Sequence, residues 1–192
     1  MVAKVAAPTL EELRARLDAL PESVKGEIID GVLHVHPRPR FRHARAGGFF
    51  VHHLGGSFDY DDGGPGGWWI VPEPGIELPG AAEISPDLAG WRRERMPAPP
   101  EDESITVVPD WVCEVLSPSN ARYDRTIKLP FYARALVPWL WLIDPRDQTL
   151  EVYQLRDAAW SLRGTFGPEA NVRAEPFEAI EIPLPKLWPL PA

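Results

Sequence analysis

The stretch Val108–Lys128, VPDWVCEVLSPSNARYDRTIK, decides the fold, because its composition changes from that of a strand to that of a turn and then of a helix. Its first part holds a nearly unbroken apolar run, made of Trp111, Val112, Cys113, Val115 and Leu116. Such a run predicts a strand that is buried on both faces. Glu114 lies inside it, and burying an unpaired carboxylate is costly. Glu114 must therefore be protonated, paired with a cation, or turned toward a cleft where a metal ion binds.

The residues after this strand predict a turn followed by a helix. Ser117-Pro118-Ser119-Asn120 has the composition of a turn and a helix N-cap. Asp124, Lys128 and Tyr132 then recur at four-residue spacing, which places them on one helical face. A lysine would thus face the strand carboxylate. Pro130 predicts either a kink in this helix or a restart near the proline, and the sequence leaves both open.

A second acid lies upstream, in a segment that we predict to be another short apolar strand, Glu83–Trp91. It carries Asp87 directly after Pro86. Two such strands could bring Asp87 and Glu114 to one end of a sheet. Carboxylates in that position supply the hard oxygen ligands that suit Mg²⁺ or Mn²⁺.

Two acids on neighbouring strands with a lysine close by resemble the PD-(D/E)xK restriction-endonuclease-like nucleases. More closely, the chain is similar to the Uma-two family of predicted restriction endonucleases, once filed as a domain of unknown function. The resemblance runs from about Glu27 to Tyr153 and rests on four segments: Ser85–Trp91, Pro109–Ser119, Lys128–Tyr132 and Trp139–Pro145. It implies a single α/β domain over residues 1–192, with its core at about 27–155. A mixed central β-sheet would be flanked by helices, with an N-terminal helix and a hairpin as additions.

The resemblance also implies a function: a Mg²⁺- or Mn²⁺-dependent endonuclease that hydrolyses nucleic-acid phosphodiester bonds, with DNA as the expected partner. Asp87 and Glu114 would be catalytic metal ligands, helped by the backbone carbonyl of Val115. Lys128 would be the catalytic base or an electrostatic partner. The nuclease motif has its lysine two residues after the second acid, where this chain has Leu116. Similar family members take the lysine from the following helix, which here gives Lys128.

Other residues match the family pattern or add charge around the predicted site. The accessory candidates are Glu27, His43, Glu73 and Tyr132, and the candidates for nucleic-acid binding are Arg42, Arg45, Arg122 and Arg125. Glu27 would lie near the metal or make structural hydrogen bonds, and His43 would contact phosphate or support the fold. Glu73 is equally explained as an exposed strand residue, and the arginines as solvated surface charges.

Two competing interpretations remain open at this point. In the first, Glu114 and Lys128 form a buried ion pair that only fixes the helix on the sheet. In the second, the chain is a catalytically inactive module that binds nucleic acid or protein on a nuclease scaffold, since a fold alone does not secure an activity. The ion-pair interpretation predicts that replacing Lys128 strongly destabilises the fold, whereas a catalytic lysine should be nearly neutral for stability.

Two flanking parts of the chain carry clear local signals. Thr9-Leu10-Glu11-Glu12 matches a capping box and predicts an amphipathic helix that ends before Pro21. Asp30-Gly31 between two apolar runs predicts a tight hairpin. Pro138–Asp144 and Thr149–Leu155 predict a second hairpin, and Trp160–Thr165 predicts an edge strand.

The composition limits the class of protein. A chain of 192 residues with 44% hydrophobic and 25% charged residues suits one globular domain. Its net charge of -8 argues against indiscriminate nucleic-acid binding, which depends on basic side chains. The sequence predicts no membrane span and a cytoplasmic protein. The single cysteine, Cys113, lies in the predicted buried strand, so we expect a thiol in the core. The spacing of the histidines does not suit a zinc site. A homodimer would let two sites cut two strands, although no sequence feature proves one.

Overall fold

A computed structural model describes residues 6–38, 40–60, 62–101 and 104–188. Within these ranges the α-helices are α1 (Leu10–Asp18), α2 (Phe41–Phe50), α3 (Ala121–Tyr123) and α4 (Leu129–Arg134). Two π-helical segments, Val51–Asp59 and Asp124–Lys128, continue α2 and α3, and a 3-10 turn spans Leu184–Lys186. The strands are β1 (Val24–Ile29), β2 (Val32–Pro37), β3 (Trp68–Pro72), β4 (Ile76–Leu78), β5 (Ala81–Ile84), β6 (Leu88–Arg92), β7 (Trp111–Val115), β8 (Trp139–Asp144), β9 (Thr149–Arg156), β10 (Ala159–Phe166), β11 (Asn171–Val172) and β12 (Ile182–Pro183).

The central layer is a six-stranded sheet in the order β10-β9-β8-β7-β6-β3. β7 and β8 pair in parallel and the other neighbours pair antiparallel, so the sheet is mixed. Every residue of β7 is buried, as its apolar run predicted. The hairpin predicted from Pro138 to Leu155 is β8–β9, and the predicted edge strand is β10.

Alternation along β7 divides the hydrophobic core into two layers. Trp111 and Cys113 face a layer made by α2, its π-helical continuation and the C-terminal part of the described chain. Val112 and Leu116 face the opposite layer, which holds the second sheet and α4. Because side chains alternate between the two faces of a strand, Glu114 points into this second layer, toward the helix that carries the predicted lysine.

The second sheet has four strands in the order β2-β1-β5-β4. β1 and β2 form the predicted hairpin, whose turn residues Asp30 and Gly31 have φ angles of 51° and 72°. Positive φ at both positions is the type I′ geometry that Asp-Gly favours. α1 begins at the predicted capping box of Thr9 and Glu12 and packs on this hairpin. The N-terminal helix and hairpin are therefore present as predicted.

The prediction of one strand at Glu83–Trp91 is wrong. The chain pairs as β5 in the four-stranded sheet up to Ile84 and as β6 in the central sheet from Leu88. Pro86 lies at the crossing, where its missing amide hydrogen would interrupt a strand ladder. Asp87 follows directly, before β6, and β6 pairs with β7. Asp87 therefore lies beside the strand of Glu114, as predicted, although Glu83–Trp91 is divided between two sheets.

Residues 121–134, which we call the site helix, comprise α3, the π-helical turn and α4. The amide of Leu129 donates to the carbonyl of Asp124, five residues back, which is the wide spacing of a π-helix. Pro130 lies in the first turn of α4, where a missing amide hydrogen is tolerated. The helix thus continues through a widened turn beside the proline.

No helix within the described ranges is long and apolar enough to cross a membrane. The predicted α/β architecture, with a mixed central sheet and helices packed on it, is confirmed.

Candidate functional site

A cavity of about 670 Å³ lies where β7 runs into the loop before the site helix. Its lining includes the three predicted catalytic residues, Asp87, Glu114 and Lys128. Exposed residues from the start of α2, from the loop after β7 and from the β8–β9 turn form its rim; they include Arg40, Phe41, Pro118, Ser119 and Arg146. The structure therefore brings together residues from distant parts of the sequence at one opening.

Glu114 and Lys128 form a buried ion pair in this cavity. The Nζ atom of Lys128 lies 2.7 Å from Oε1 of Glu114, and the two side chains are 4% and 2% exposed. The hydroxyl of Tyr132 donates to the same carboxylate oxygen at 2.6 Å. Tyr132, an accessory candidate, thus touches the site through Glu114. Both contacts use Oε1 of Glu114.

Asp87 is held by contacts from α2 and from β7. Nε2 of His43, from the first turn of α2, is 3.0 Å from Oδ2 of Asp87. The backbone amide of Val115 donates to that same oxygen at 2.7 Å. The peptide of Val115 therefore faces Asp87, and His43, another of the four accessory candidates, makes a structural contact with Asp87. Both contacts use Oδ2 of Asp87.

Glu27, on β1, supplies a second counter-charge to Lys128. Its Oε1 lies 3.2 Å from Nζ of Lys128 and accepts the amide of Ser85 at 2.8 Å. Its Oε2 accepts the hydroxyl of Tyr123 at 2.9 Å. Both oxygens are thus engaged in contacts that join β1 to β5 and to the site helix. This arrangement matches the structural role that was one of the two roles considered for Glu27.

Asp124 is a buried carboxyl group of the cavity that the sequence did not predict as a site residue. Its side chain is 1% exposed, it lines the cavity, and its Oδ2 has no hydrogen-bond partner among the described residues. The only sequence signal was its shared helical face with Lys128 and Tyr132. Its burial depends on the contact between helix and sheet, which local periodicity does not reveal.

Buried carboxyl groups outnumber buried cations in the cavity, and their pKa values respond. Burial, together with the charges of Asp87 and Glu27, raises the pKa of Glu114 to about 7, although Lys128 opposes the change. Burial and the charge of Glu114 raise the pKa of Asp124 to about 9. The site therefore holds protons on carboxyl groups near neutral pH.

Asp87 and Lys128 keep their charges in the same surroundings. Burial alone would raise the pKa of Asp87, but the hydrogen bond and charge of His43, the charge of Lys128 and the amide of Val115 together lower that pKa. Burial alone would lower the pKa of Lys128, but the carboxylates Glu114 and Glu27 raise it well above 10.5. Lys128 is consequently held as an ammonium ion, which suits an electrostatic partner better than a catalytic base.

The remaining predicted residues lie outside the centre of the site. Glu73 does not line the cavity, and its Oε1 lies 3.8 Å from Nζ of Lys25. Its backbone has a positive φ angle of 45°. Arg42 lies on the cavity lining, whereas Arg45 and Arg122 do not, and Arg45 donates to the carbonyl of Lys186.

Arg125, the fourth arginine proposed for nucleic-acid binding, is occupied by a contact within the protein. It forms an ion pair with Glu151 on β9, at 3.1 Å. The charge of Arg125 is therefore partly used in fixing the site helix to the central sheet.

The donor set of the cavity is compatible with a hard divalent cation. Besides the partly exposed Asp144 and Lys25, the cavity is lined by Lys128 and by four carboxyl groups, those of Glu27, Asp87, Glu114 and Asp124. One buried carboxyl oxygen of Asp124 lacks a partner among the described residues. No three histidine, cysteine, aspartate or glutamate side chains of the described chain are grouped closely enough to hold a metal ion. Mg²⁺ often uses only one or two protein carboxylates together with waters and substrate phosphates, so two acids would suffice.

Comparisons with known proteins bear on this arrangement. Residues 10–185 match the model of the family Uma2, described as "Putative restriction endonuclease", which extends well beyond the segments that carry the resemblance in the sequence. No curated protein matches the chain. The fold is similar to the crystal structure of "a putative nuclease belonging to DUF820 from Anabaena variabilis ATCC 29413". The TM-score is 0.74 at 22% identity, covering 94% of this chain and 97% of that one, which shows a shared fold.

Proposed function

The chain belongs to the Uma2 family, and from this premise we propose that it is a metal-dependent endonuclease that hydrolyses phosphodiester bonds in DNA. The observation that carries the proposal is the excess of buried carboxyl groups around Lys128 in an open cavity. Burying several charged carboxylates is costly. Protons held on Glu114 and Asp124 reduce that cost, and a divalent cation would replace those protons on binding. A lone structural ion pair would need one carboxylate, not several.

In this proposal Asp87 and Glu114 hold Mg²⁺ or Mn²⁺ with the backbone carbonyl of Val115. The protein contacts of the two acids use Oδ2 of Asp87 and Oε1 of Glu114, so coordination would use Oδ1 and Oε2. When bound, a divalent ion activates water for attack and neutralises charge on the phosphate.

The protein side chains then have separate tasks. Lys128, kept charged by Glu114 and Glu27, stabilises the negative charge that develops on the phosphate in the transition state. His43 holds Asp87 in place through its hydrogen bond to Oδ2. Tyr132 does the same for Glu114. These positioning contacts limit the reorganisation needed at the site during the reaction.

The test is cleavage of supercoiled plasmid, single-stranded DNA and RNA with Mg²⁺, Mn²⁺ or a chelator. The wild type is compared with Glu114→Gln and Lys128→Met, and with Glu151→Gln as a matched control. Glu151 is a carboxylate that pairs with Arg125 outside the cavity. We expect metal-dependent cleavage that both site variants lose and the control retains. Nicked plasmid would indicate one strand cut per encounter, and linear plasmid would indicate two sites acting together, as in a homodimer.

The binding of Mn²⁺, measured by calorimetry, completes the test. Glu114→Gln should keep a folded protein, because Lys128 retains Glu27 as a counter-charge, and should lose the metal. Unchanged metal affinity in this variant would refute the assignment of Glu114. Absence of both cleavage and metal binding in the wild type would refute the endonuclease and favour the inactive binding module on the same scaffold.

A further inference from the structure

The rim of the cavity carries an exposed aromatic ring. Phe41, the first residue of α2, is 78% exposed, whereas Phe50 at the other end of the same helix is fully buried. Single exposed apolar side chains are common on proteins and need no explanation by themselves. The position of Phe41 is more specific, because it lines both the site cavity and a shallow groove beside it along α2. The groove is formed with Ala44, Arg45, Gly48 and Phe49.

The charge around this ring is opposite to that of the whole protein. The net charge of the chain is -8, yet residues 31–58 contain no aspartate or glutamate. The same segment holds all five histidines and four arginines, Arg38, Arg40, Arg42 and Arg45. Arg40 and Arg42 flank Phe41, are exposed and line the cavity. The rim at α2 therefore attracts anions, whereas the cavity floor is lined by carboxyl groups.

This combination suits one form of nucleic acid. Flat, exposed aromatic rings between basic side chains bind unpaired nucleobases by stacking while the cations contact the phosphates. The bases of an intact duplex are covered by their neighbours, and exposing one by flipping costs a few kcal/mol. The ring of Phe41 can stack only on a base whose face is open. A cavity of about 670 Å³ is also within the usual range of about 300–1,000 Å³ for small-ligand sites, large enough for one nucleotide.

We propose that Phe41, with Arg40 and Arg42, forms a subsite that stacks an unpaired nucleobase next to the phosphate held in the cavity, so that the site favours single-stranded or locally unpaired DNA. This inference rests on the proposed function, since it takes the cavity as a phosphodiester site. It adds a preference for substrate structure that the carboxyl groups and Lys128 do not provide.

Fluorescence anisotropy of labelled oligonucleotides tests the subsite without relying on cleavage. All variants are made in a Glu114→Gln background, where cleavage is expected to be absent. The ligands are a thymidine 12-mer, the same 12-mer carrying abasic residues in place of bases, and a blunt duplex. Phe41→Ala should weaken binding of the thymidine strand by about 5- to 150-fold, the range of one base-stacking contact. The same change should alter binding of the abasic strand and of the duplex by less than two-fold.

Three further variants separate stacking from other causes. Phe41→Trp should retain or strengthen binding of the thymidine strand, because its ring stacks as well. Arg42→Gln should weaken binding of all three ligands and reduce the salt dependence, because it removes a phosphate contact. Tyr60→Ala is the matched control, since Tyr60 is 67% exposed and does not line the cavity. Thermal melts check that each variant is folded.

Equal losses on the thymidine and abasic strands, or no loss on either, would overturn the subsite, as would failure of the parent protein to bind any of the three ligands. Cleavage by the wild type is measured separately. Phe41-dependent binding by a protein that neither cleaves nor binds Mn²⁺ would refute the endonuclease and leave the base-stacking subsite standing. Cleavage without Phe41-dependent binding would refute the base-stacking subsite and leave the endonuclease standing.

Discussion

The Nζ atom of Lys128 lies 2.7 Å from Oε1 of Glu114 and 3.2 Å from Oε1 of Glu27, so one buried ammonium is shared by two buried carboxylates. The interpretation of Glu114 and Lys128 as a buried ion pair predicted their contact. The interpretation of Lys128 as a catalytic residue predicted that it would lie in a cavity. Both descriptions fit the same geometry. Stability alone therefore no longer separates them, because Lys128 has structural partners whether or not it takes part in catalysis.

Replacing Lys128 with methionine should destabilise the protein by about 3–5 kcal/mol near pH 8, because Glu114 and Glu27 would be left buried without a cation. Urea unfolding measures the change. Arg14→Met is the control: Arg14 pairs with Glu77 at 3.0 Å on the surface, outside the cavity lining, and such pairs contribute at most about 1 kcal/mol. A loss no larger than that of the control would contradict the ion pair.

Moving the lysine to the place where the nuclease motif has it should partly restore the site. Leu116 is buried, lines the cavity and lies two residues beyond Glu114, on the same face. In a Lys128→Met background, Leu116→Lys should raise stability at pH 8 and recover part of the cleavage. Leu116→Met in the same background controls for the change of shape. Equal behaviour of the two double variants would show that a cation at position 116 does not reach the carboxylates.

Asp124→Asn should stabilise the protein increasingly as pH rises. The pKa of Asp124 rises from 3.8 to about 9 on folding, so the unfolded chain loses this proton first and wild-type stability falls between about pH 4 and pH 9. Asparagine does not ionise, so the stability of the variant should not fall in this pH range. Each unit by which folding raises this pKa corresponds to about 1.4 kcal/mol, so by pH 9 the difference in stability should have grown by several kcal/mol.

Thermal melts at pH 5, 7 and 9 follow the widening difference between wild type and Asp124→Asn. Asp147→Asn, at an exposed turn position, is the control and should change stability little at any of these pH values. A difference that stays constant with pH would mean that Asp124 is ionised in the folded protein.

His43→Leu should cost about 1.5–3 kcal/mol at pH 7, the usual contribution of a hydrogen bond to a charged group. Because the pKa of Asp87 is lowered below 3.8 in the folded protein, the stabilisation is present above that pH and is lost as pH falls through the lowered value. Urea unfolding at pH 7 and pH 3.5 should show the difference shrink in acid. An equal difference at both pH values would point to lost packing instead.

Local chemistry predicted much of the fold and the neighbouring positions of Asp87, Glu114 and Lys128. The capping box at Thr9, the Asp30-Gly31 turn and the buried run of β7 each depend on neighbours in sequence, and each is present. The placement of Asp87, directly before β6, beside the strand that carries Glu114 also agrees with the apolar strand patterns, because β6 pairs with β7.

Features that depend on distant pairing were not predicted. The split of Glu83–Trp91 between two sheets is decided by which strands accept its two halves, not by its own apolar pattern. The π-helical turn has no residue-type signal, and the ion pair of Arg125 with Glu151 joins elements that are far apart in sequence. The isolation of Asp124 Oδ2 likewise follows from tertiary burial.

The site helix connects the two sheets mechanically. Before its wide π-helical turn, Tyr123 is hydrogen-bonded to Glu27 of the four-stranded sheet, and after it Tyr132 is hydrogen-bonded to Glu114 of the six-stranded sheet. Lys128, at the end of that turn, reaches both carboxylates. Any sliding of one sheet past the other would pull the ammonium from one acid toward the other. The distance between the two sheets therefore sets how the charge of Lys128 is divided between Glu27 and Glu114.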